Sequence, residues 1–346
     1  MNLGLHTRYA DFISWLNNSD SSIDETVIQL QDSIKDYCEK KNIGEPVEIN
    51  WSDMETAFGQ FTYMFNGKPR GDEEIDDCHS FICEKLSEYL KIEEEKVPLS
   101  EIVKSKDKLE EIAKALLDFT VGLRTVDVNK INNTISKIGN GNYIRTVDFN
   151  YTGIVDNLFS GIIKQNLIGT RVFGSTRYNN AIYSPIHVHG TLIHGMVFGL
   201  DNETQICCDV FKDDEPERKR ALIKKYANED LGEETDEQVI RIINESNVIY
   251  VYGMSIGVTD RRWWECIVNK MNNDKNSILI IQGMDVPEIR LRSAPYMRYS
   301  RIKKEEFLQY GHNLDETQSE SIKQRIYYTK SNLFSSLENI VESKSL

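Results

Sequence analysis

No C-x-x-C pair occurs in this chain, no stretch approaches the ~20 apolar residues of a membrane span, and no basic-then-apolar signal pattern opens it. Each absence closes off a class. The six cysteines, Cys38, Cys78, Cys83, Cys207, Cys208 and Cys266, are scattered over 346 residues. That argues against a disulfide framework and for a reducing compartment. Cys207 and Cys208 are adjacent, too close for ordinary ligand spacing. The expectation is a cytoplasmic protein with no membrane partner. Positive charge is also short, with 41 Lys and Arg against 55 Asp and Glu and a net charge of −14. This disfavours broad attraction to nucleic acid or anionic lipid. The late basic stretch of Arg290, Arg292, Arg298, Arg301, Lys303 and Lys304 reads as a solvated face. Internal repeats and low-complexity segments are lacking, and no strand pattern precedes Met1-Asn2-Leu3-Gly4-Leu5.

What is present is a soluble globular balance, 40% hydrophobic and 28% charged, long enough for one large domain or two modest ones. Tyr9, Phe12, Ile13 and Leu16 fall at i, i+3, i+4 and i+7, an amphipathic helix. Residues 17–140 carry mostly helical patterns, among them His79 to Tyr89 and Leu109 to Leu123, and read as a helical insertion or cap. From residue 143 short apolar runs alternate with helices. Strands are expected at Tyr143–Phe149, Pro185–Val188, Met196–Phe198, Val248–Tyr252, Ser277–Ile281 and Arg325–Tyr328, with helices at Asp236–Glu245 and Thr259–Met271. Near-continuous apolar strands suggest burial on both faces. Strand–helix alternation argues for a doubly wound α/β sheet. The expected division is a sheet domain from 1–16 and 141–346, interrupted by the helical region 17–140.

Three strand ends carry the chemistry. They are Phe149-Asn150-Tyr151-Thr152, His187-Val188-His189-Gly190 and Tyr252-Gly253-Met254-Ser255-Ile256-Gly257. In a parallel sheet the carboxyl ends of the strands border the ligand crevice. His189 titrates near neutrality and can act as a base, and Gly190 permits close backbone approach; a structural histidine is the bland alternative. His187, His189 and His194 lack a carboxylate or thiol to complete a metal set, so no metal is expected. Asn150 either caps the next helix or offers its carboxamide to a sugar hydroxyl or water. Gly253 to Gly257 matches the G-x-S-x-G nucleophile elbow, with Asp285 and His312 in triad order. The rival reading is a turn that contacts a nucleotide.

In order and spacing these stretches resemble the AbiH-like abortive-infection proteins, a branch of the sirtuin-like superfamily. The family's Phe-Asn-Tyr-Thr, His-Gly, hydrophobic-Phe-Gly and Gly-x-Ser-hydrophobic-Gly elements are matched by Phe149–Thr152, His189-Gly190, Val197-Phe198-Gly199-Leu200-Asp201 and Gly253–Gly257, followed by Asp260. Gly4-Leu5-His6-Thr7-Arg8-Tyr9-Ala10-Asp11-Phe12 and Trp51-Ser52-Asp53-Met54-Glu55 resemble two earlier family elements. The resemblance implies a Rossmann-like sheet that binds NAD and cleaves its nicotinamide–ribose bond in antiphage defence. It assigns catalysis to His189 and Asn150, and NAD binding to Gly4, Thr7, Tyr9, Asp11, Asn150, Tyr151, Gly190, Gly253, Ser255 and Asp260. Asp148, Asp201 and Asp260 are candidates for stabilising developing charge. The implied partners are NAD+, a phage-derived trigger or a partner defence protein, and a second copy of the chain. The alternatives are an inactive nucleotide-binding module and a serine hydrolase built on Ser255. The family usually opens with a strand and Gly-Asn-Gly-Phe-Asp, and this sequence begins just after that point. Either the recorded start is late, or one strand and half of the phosphate site are lacking.

Overall fold

The computed structural model describes residues 11–12, 14–16, 32, 55, 58–66, 71–208, 220, 222–230, 235–254, 256–257, 260–283, 285–287 and 293–334. Two sets of parallel strands organise the second half. The first is β9 (Val248–Val251), β10 (Ile278–Gln282) and β11 (Ile326–Thr329), with β10 in the middle. All five residues of Ile278-Leu279-Ile280-Ile281-Gln282 are buried, as an unbroken apolar run requires when helices cover both faces.

The second set is one pair of strands broken into short pieces. β1 (Tyr143–Ile144) and β2 (Val147–Asp148) run parallel to β5 (Ala181–Ile182) and β6 (Ile186–His187). The register slips by one residue between Ile144↔Ile182 and Val147↔Ile186. Pro185, which has no N–H to donate, sits in that interval, so the extra residue is absorbed as a bulge. Between these strands runs helix α5 (Ile154–Lys164), followed by the antiparallel hairpin of β3 (Thr170–Phe173) and β4 (Thr176–Asn179). The expected strand at Met196–Phe198 is instead a short antiparallel turn of β7 (Gly190–Thr191) and β8 (Gly195–Met196).

Helices cover both faces of these strands. On one side α7 (Thr235–Glu245) and α8 (Arg261–Asn273) bury Val239, Ile243, Trp263, Trp264 and Ile267 in a single cluster. That cluster takes in Val147 and Phe149 from one strand set and Val251 and Ile281 from the other. On the opposite side lie α2 (Leu99–Lys104), α3 (Lys106–Leu117), α4 (Thr125–Ile135) and α5. Leu109 and Ile112 pack with Leu158 and Ile162, and Ile131 packs with Ile278 and Ile280. The helices of 99–135 thus pack directly on the strands and on α5. Helix α1 (Gly71–Glu95) behaves differently. It packs with Phe12, Phe58, Phe61, Phe198 and Leu200 beyond the strand ends. The α/β expectation holds at the level of short parallel strands between helices.

A cavity of about 580 Å³ separates the two strand sets. It is lined by residues 142–150 on one side and 247–254 on the other, with Val239, Trp263, Leu116, Phe159 and Phe334 from the helical layers.

Ile280 is fully buried at the centre of β10. Ile280→Ala is expected to lower stability by about 3 kcal/mol, whereas Ile193→Ala, at a side chain 83% exposed, changes it by less than about 0.5 kcal/mol. Urea unfolding of the two variants checks the contrast.

Candidate functional site

Beyond the tip of β2 the backbone is held by its own side chains. Asp148 Oδ1 accepts hydrogen bonds from the Asn150 amide at 2.9 Å and from its Nδ2 at 2.8 Å, an Asx turn. Asn150 therefore does not cap α5. The cap residue there is Gly153, whose amide donates to Glu94 Oε1 at 2.7 Å. His187 completes the turn. Its Nε2 lies 2.8 Å from Asp156 Oδ2 and its Nδ1 lies 3.2 Å from the Asn150 carbonyl. Burial disfavours the imidazolium, yet the hydrogen bond to Asp156 and the nearby carboxylates outweigh it and raise the pKa of His187.

His189 meets a different environment. Its ring lies between Phe149, at 5.6 Å between centroids, and Tyr151, at 6.2 Å. Residues 149 and 151 are two apart and turn to the same side, and Asn150 between them is exposed. The His189 carbonyl accepts from the Val197 amide at 2.8 Å, and Tyr151 Oη reaches the Val197 carbonyl at 3.3 Å. Gly190, at φ +68°, turns the chain back. A Cβ there would stand 2.0 Å from the Gly195 carbonyl oxygen, so the close approach this glycine permits is to the protein's own backbone.

Next to this histidine lies a buried ionic cluster. Lys224, at the start of α6 (Lys224–Asp230), places Nζ 2.9 Å from Glu55 Oε2 and 3.1 Å from Asp201 Oδ1. Its side chain is 3% exposed. The Lys224 amide donates to the Leu200 carbonyl at 2.9 Å, and the Leu200 amide donates to the Leu222 carbonyl at 2.8 Å, which ties the lysine to the Phe198-Gly199-Leu200-Asp201 segment. Asp260 and Arg262, at the start of α8, complete the field. Arg262 donates to Asp236 through both terminal nitrogens, one at 2.8 Å, and stacks over Trp263.

The electrostatics follow from burial. Desolvation pushes Glu55 up to about 7 against the pull of Lys224, and pushes Asp260 up to about 6 against Lys224 and Arg262. Asp201 is raised for the same reason. Burial alone would neutralise Lys224, but Glu55, Asp201 and Asp260 together hold it firmly protonated. Burial, then the positive charges of Lys224 and Arg262, keep the pKa of His189 well below its usual value. The result is a neutral imidazole beside carboxyl groups that exchange protons near neutral pH, a combination suited to general acid–base work. Two polar atoms in this region, His189 Nδ1 and Asp201 Oδ2, are buried with no hydrogen-bond partner among the described residues.

Several motif residues expected to act together do converge. Tyr151, His189, Asp201 and Asp260 share this field, joined by Glu55 from the Trp51–Glu55 element. Asn150 stays on the Asp148 turn and lines the apolar cavity, as does Gly253, whose amide lies 3.3 Å from Gln282 Oε1. Asp11 belongs to the helical residues 11–12 and 14–16. Gly4, Thr7, Tyr9 and Ser255 lie outside the described residues. Asp285 and His312 do not support the triad reading, because Asp285 accepts from Tyr299 and His312 pairs with Glu265. Among the described residues no group of three or more His, Cys, Asp or Glu side chains is arranged to hold a metal ion. Sequence reasoning missed Lys224 and Arg262. Nothing in Ile223-Lys224-Lys225 distinguishes a buried lysine from a solvated one, and its partner Glu55 is 169 positions away.

A sequence profile described as "Bacteriophage abortive infection AbiH" matches residues 1–282, a span that contains every residue of this cluster. No curated protein and no solved structure matches the chain.

Glu55 and Asp260 bind protons more tightly folded than unfolded. The stability they contribute is full below the unfolded values of 4.5 and 3.8, and is lost as pH rises through about 7 and about 6. His189 acts in the opposite sense, its contribution being lost as pH falls below 6.5 toward its depressed folded value. The difference between wild type and Glu55→Gln isolates the Glu55 part. Its urea midpoint is expected to decline less than that of wild type between about pH 5 and about pH 8. Parallel curves for the two proteins would refute the assignment.

Proposed function

The chain belongs to the AbiH family of bacteriophage abortive-infection proteins, and from that premise we propose that it is an effector that hydrolyses NAD+ at the nicotinamide–ribose bond. The observation that carries this reading is the neutral His189 ring, set between Phe149 and Tyr151 next to the Glu55–Lys224–Asp201 cluster. Cleavage of that bond builds positive charge on the ribose as nicotinamide leaves. A neutral imidazole can accept the proton of an attacking water or of a ribose hydroxyl. Ionised carboxylates nearby favour the oxocarbenium-like transition state, and a carboxyl that titrates near 7 can return the proton. His189 serves as the base, with Asp201 and Asp260 as the electrostatic partners. Tyr151 packs against the base, and its hydroxyl donates to the carbonyl of Val197, whose amide in turn donates to the His189 carbonyl. Asn150 and Gly253 line the adjoining cavity, where strand ends offer backbone groups to a dinucleotide. A phage-derived trigger, a partner defence protein or self-association would set when the activity is released.

A second reading is nucleotide binding without turnover, and one observation favours it: His189 is only 7% exposed. The serine-hydrolase alternative lacks support, because its two prospective triad partners are engaged elsewhere.

Purified protein incubated with NAD+ while nicotinamide is followed separates these readings. His189→Ala is expected to cut release at least about 100-fold, and Ser255→Ala to leave it unchanged. NAD+ binding by calorimetry with no nicotinamide from wild type would establish the second reading instead.

A further inference from the structure

The base of the proposed reaction and the space large enough for a ligand do not meet. His189 is buried and is not among the residues that line the cavity between the strand sets. Phe149 belongs to both places. It lines the cavity, and its ring meets His189 edge to face, with centroids 5.6 Å apart and planes at 68°. The same ring meets Trp263, itself part of the cavity wall, at 6.2 Å and 78°.

Of the two rings that flank His189, only this one is free to leave. Tyr151 is tethered by its hydroxyl to the Val197 carbonyl at 3.3 Å. Phe149 has no polar atom to tether, and it is half-buried while His189 and Trp263 are buried. The chain beside it is pinned, because Asp148 Oδ1 accepts from both the amide and the carboxamide of Asn150. Movement therefore falls to the side-chain torsions, which have discrete staggered positions. The adjoining cavity, about 580 Å³, has ample room for a phenyl ring. Two edge-to-face contacts favour the seated ring by roughly 10–100-fold, which leaves an open population of about 1–10%.

We propose that Phe149 is a swinging partition: its seated ring closes His189 off from the cavity, and it turns aside when a planar aromatic ring of the substrate takes its place between His189 and Trp263. Shape and charge name the ring. The vacated position is flanked by two aromatic side chains, so its occupant is flat. The indole of Trp263 and the carboxyl groups of Asp201 and Asp260 favour a cation there. The nicotinamide ring of NAD+ is both flat and cationic. That identification rests on the NAD+ reading; the partition itself does not.

Diethyl pyrocarbonate acylates unprotonated imidazoles that it can reach, and His194, exposed on the β7–β8 turn, serves as the reference within the same protein. Relative to His194, His189 is expected to be modified at least about 10-fold faster in Phe149→Ala than in wild type. Phe149→Leu should give an intermediate rate and Phe149→Trp no acceleration. Deuterium exchange of the buried Ile278–Ile281 amides should be the same in all four proteins. Equal His189 rates throughout, or acceleration that comes only with loss of the Ile278–Ile281 protection, would overturn the partition. Nicotinamide release from the same proteins keeps the two readings apart. No release from any of them, with the labelling contrast intact, would remove NAD+ as the substrate and leave the partition standing. Release with equal labelling would do the reverse.

Discussion

One buried ammonium organises the functional end of this protein. Lys224 is almost completely shielded from water, and a charge in that position is tolerable only when paired and hydrogen-bonded. Glu55 and Asp201 supply the pairing, and Asp260 adds to the field. Three distant pieces of chain must meet around one nitrogen: the segment near residue 55, the Phe198–Asp201 segment and the start of α6. The backbone bonds between Leu200, Leu222 and Lys224 hold two of them in register. The aromatic cluster of Phe58, Phe61 and Phe198 brings the third.

The same charge sets the chemistry of its neighbour. An imidazole buried near carboxylates alone would be drawn toward its protonated form. For His189 burial has the largest effect, and the positive charges of Lys224 and Arg262 push the same way, so the ring remains neutral. His187, two residues earlier, has the opposite fate because Asp156 bonds to it directly. Two histidines separated by a single valine thus hold different protonation preferences, and the cause is the partner each one reaches. The excess of carboxyl groups over cations leaves Glu55 and Asp260 titrating near neutral pH.

Much of the architecture was legible in sequence because it rests on local pattern. Ser277–Ile281 can be buried on both faces only as a central strand, and β10 is one; Val248-Ile249-Tyr250-Val251-Tyr252 supplies its neighbour β9, which is half-buried along most of its length. The apolar faces of Asp236–Glu245 and Thr259–Met271 marked helices α7 and α8 to within two residues of their start. The pattern faltered where tertiary contacts override it. Tyr143–Phe149 reads as one strand, but its partner's bulge at Pro185 splits it in two. An amphipathic helix carries no mark of what its apolar face will cover, and the packing of residues 99–135 on the strands was not legible in their pattern. Asn150 reads as a helix cap, yet Asp148, two positions earlier on the same strand, captures its carboxamide first.

The order of strands and helices, the strand-end location of Tyr151 and His189, and membership of an abortive-infection family follow from the linear chain. Hydrophobic period and short motifs are properties of neighbours in sequence, so they can be read there. Which lysine is buried, which histidine stays neutral, which carboxyls hold a proton at pH 7 and which strand edges face each other across a cavity were settled only by folding. Those outcomes depend on desolvation and on charges a few ångströms away, contributed by residues as much as 169 positions apart. No local pattern encodes that distance.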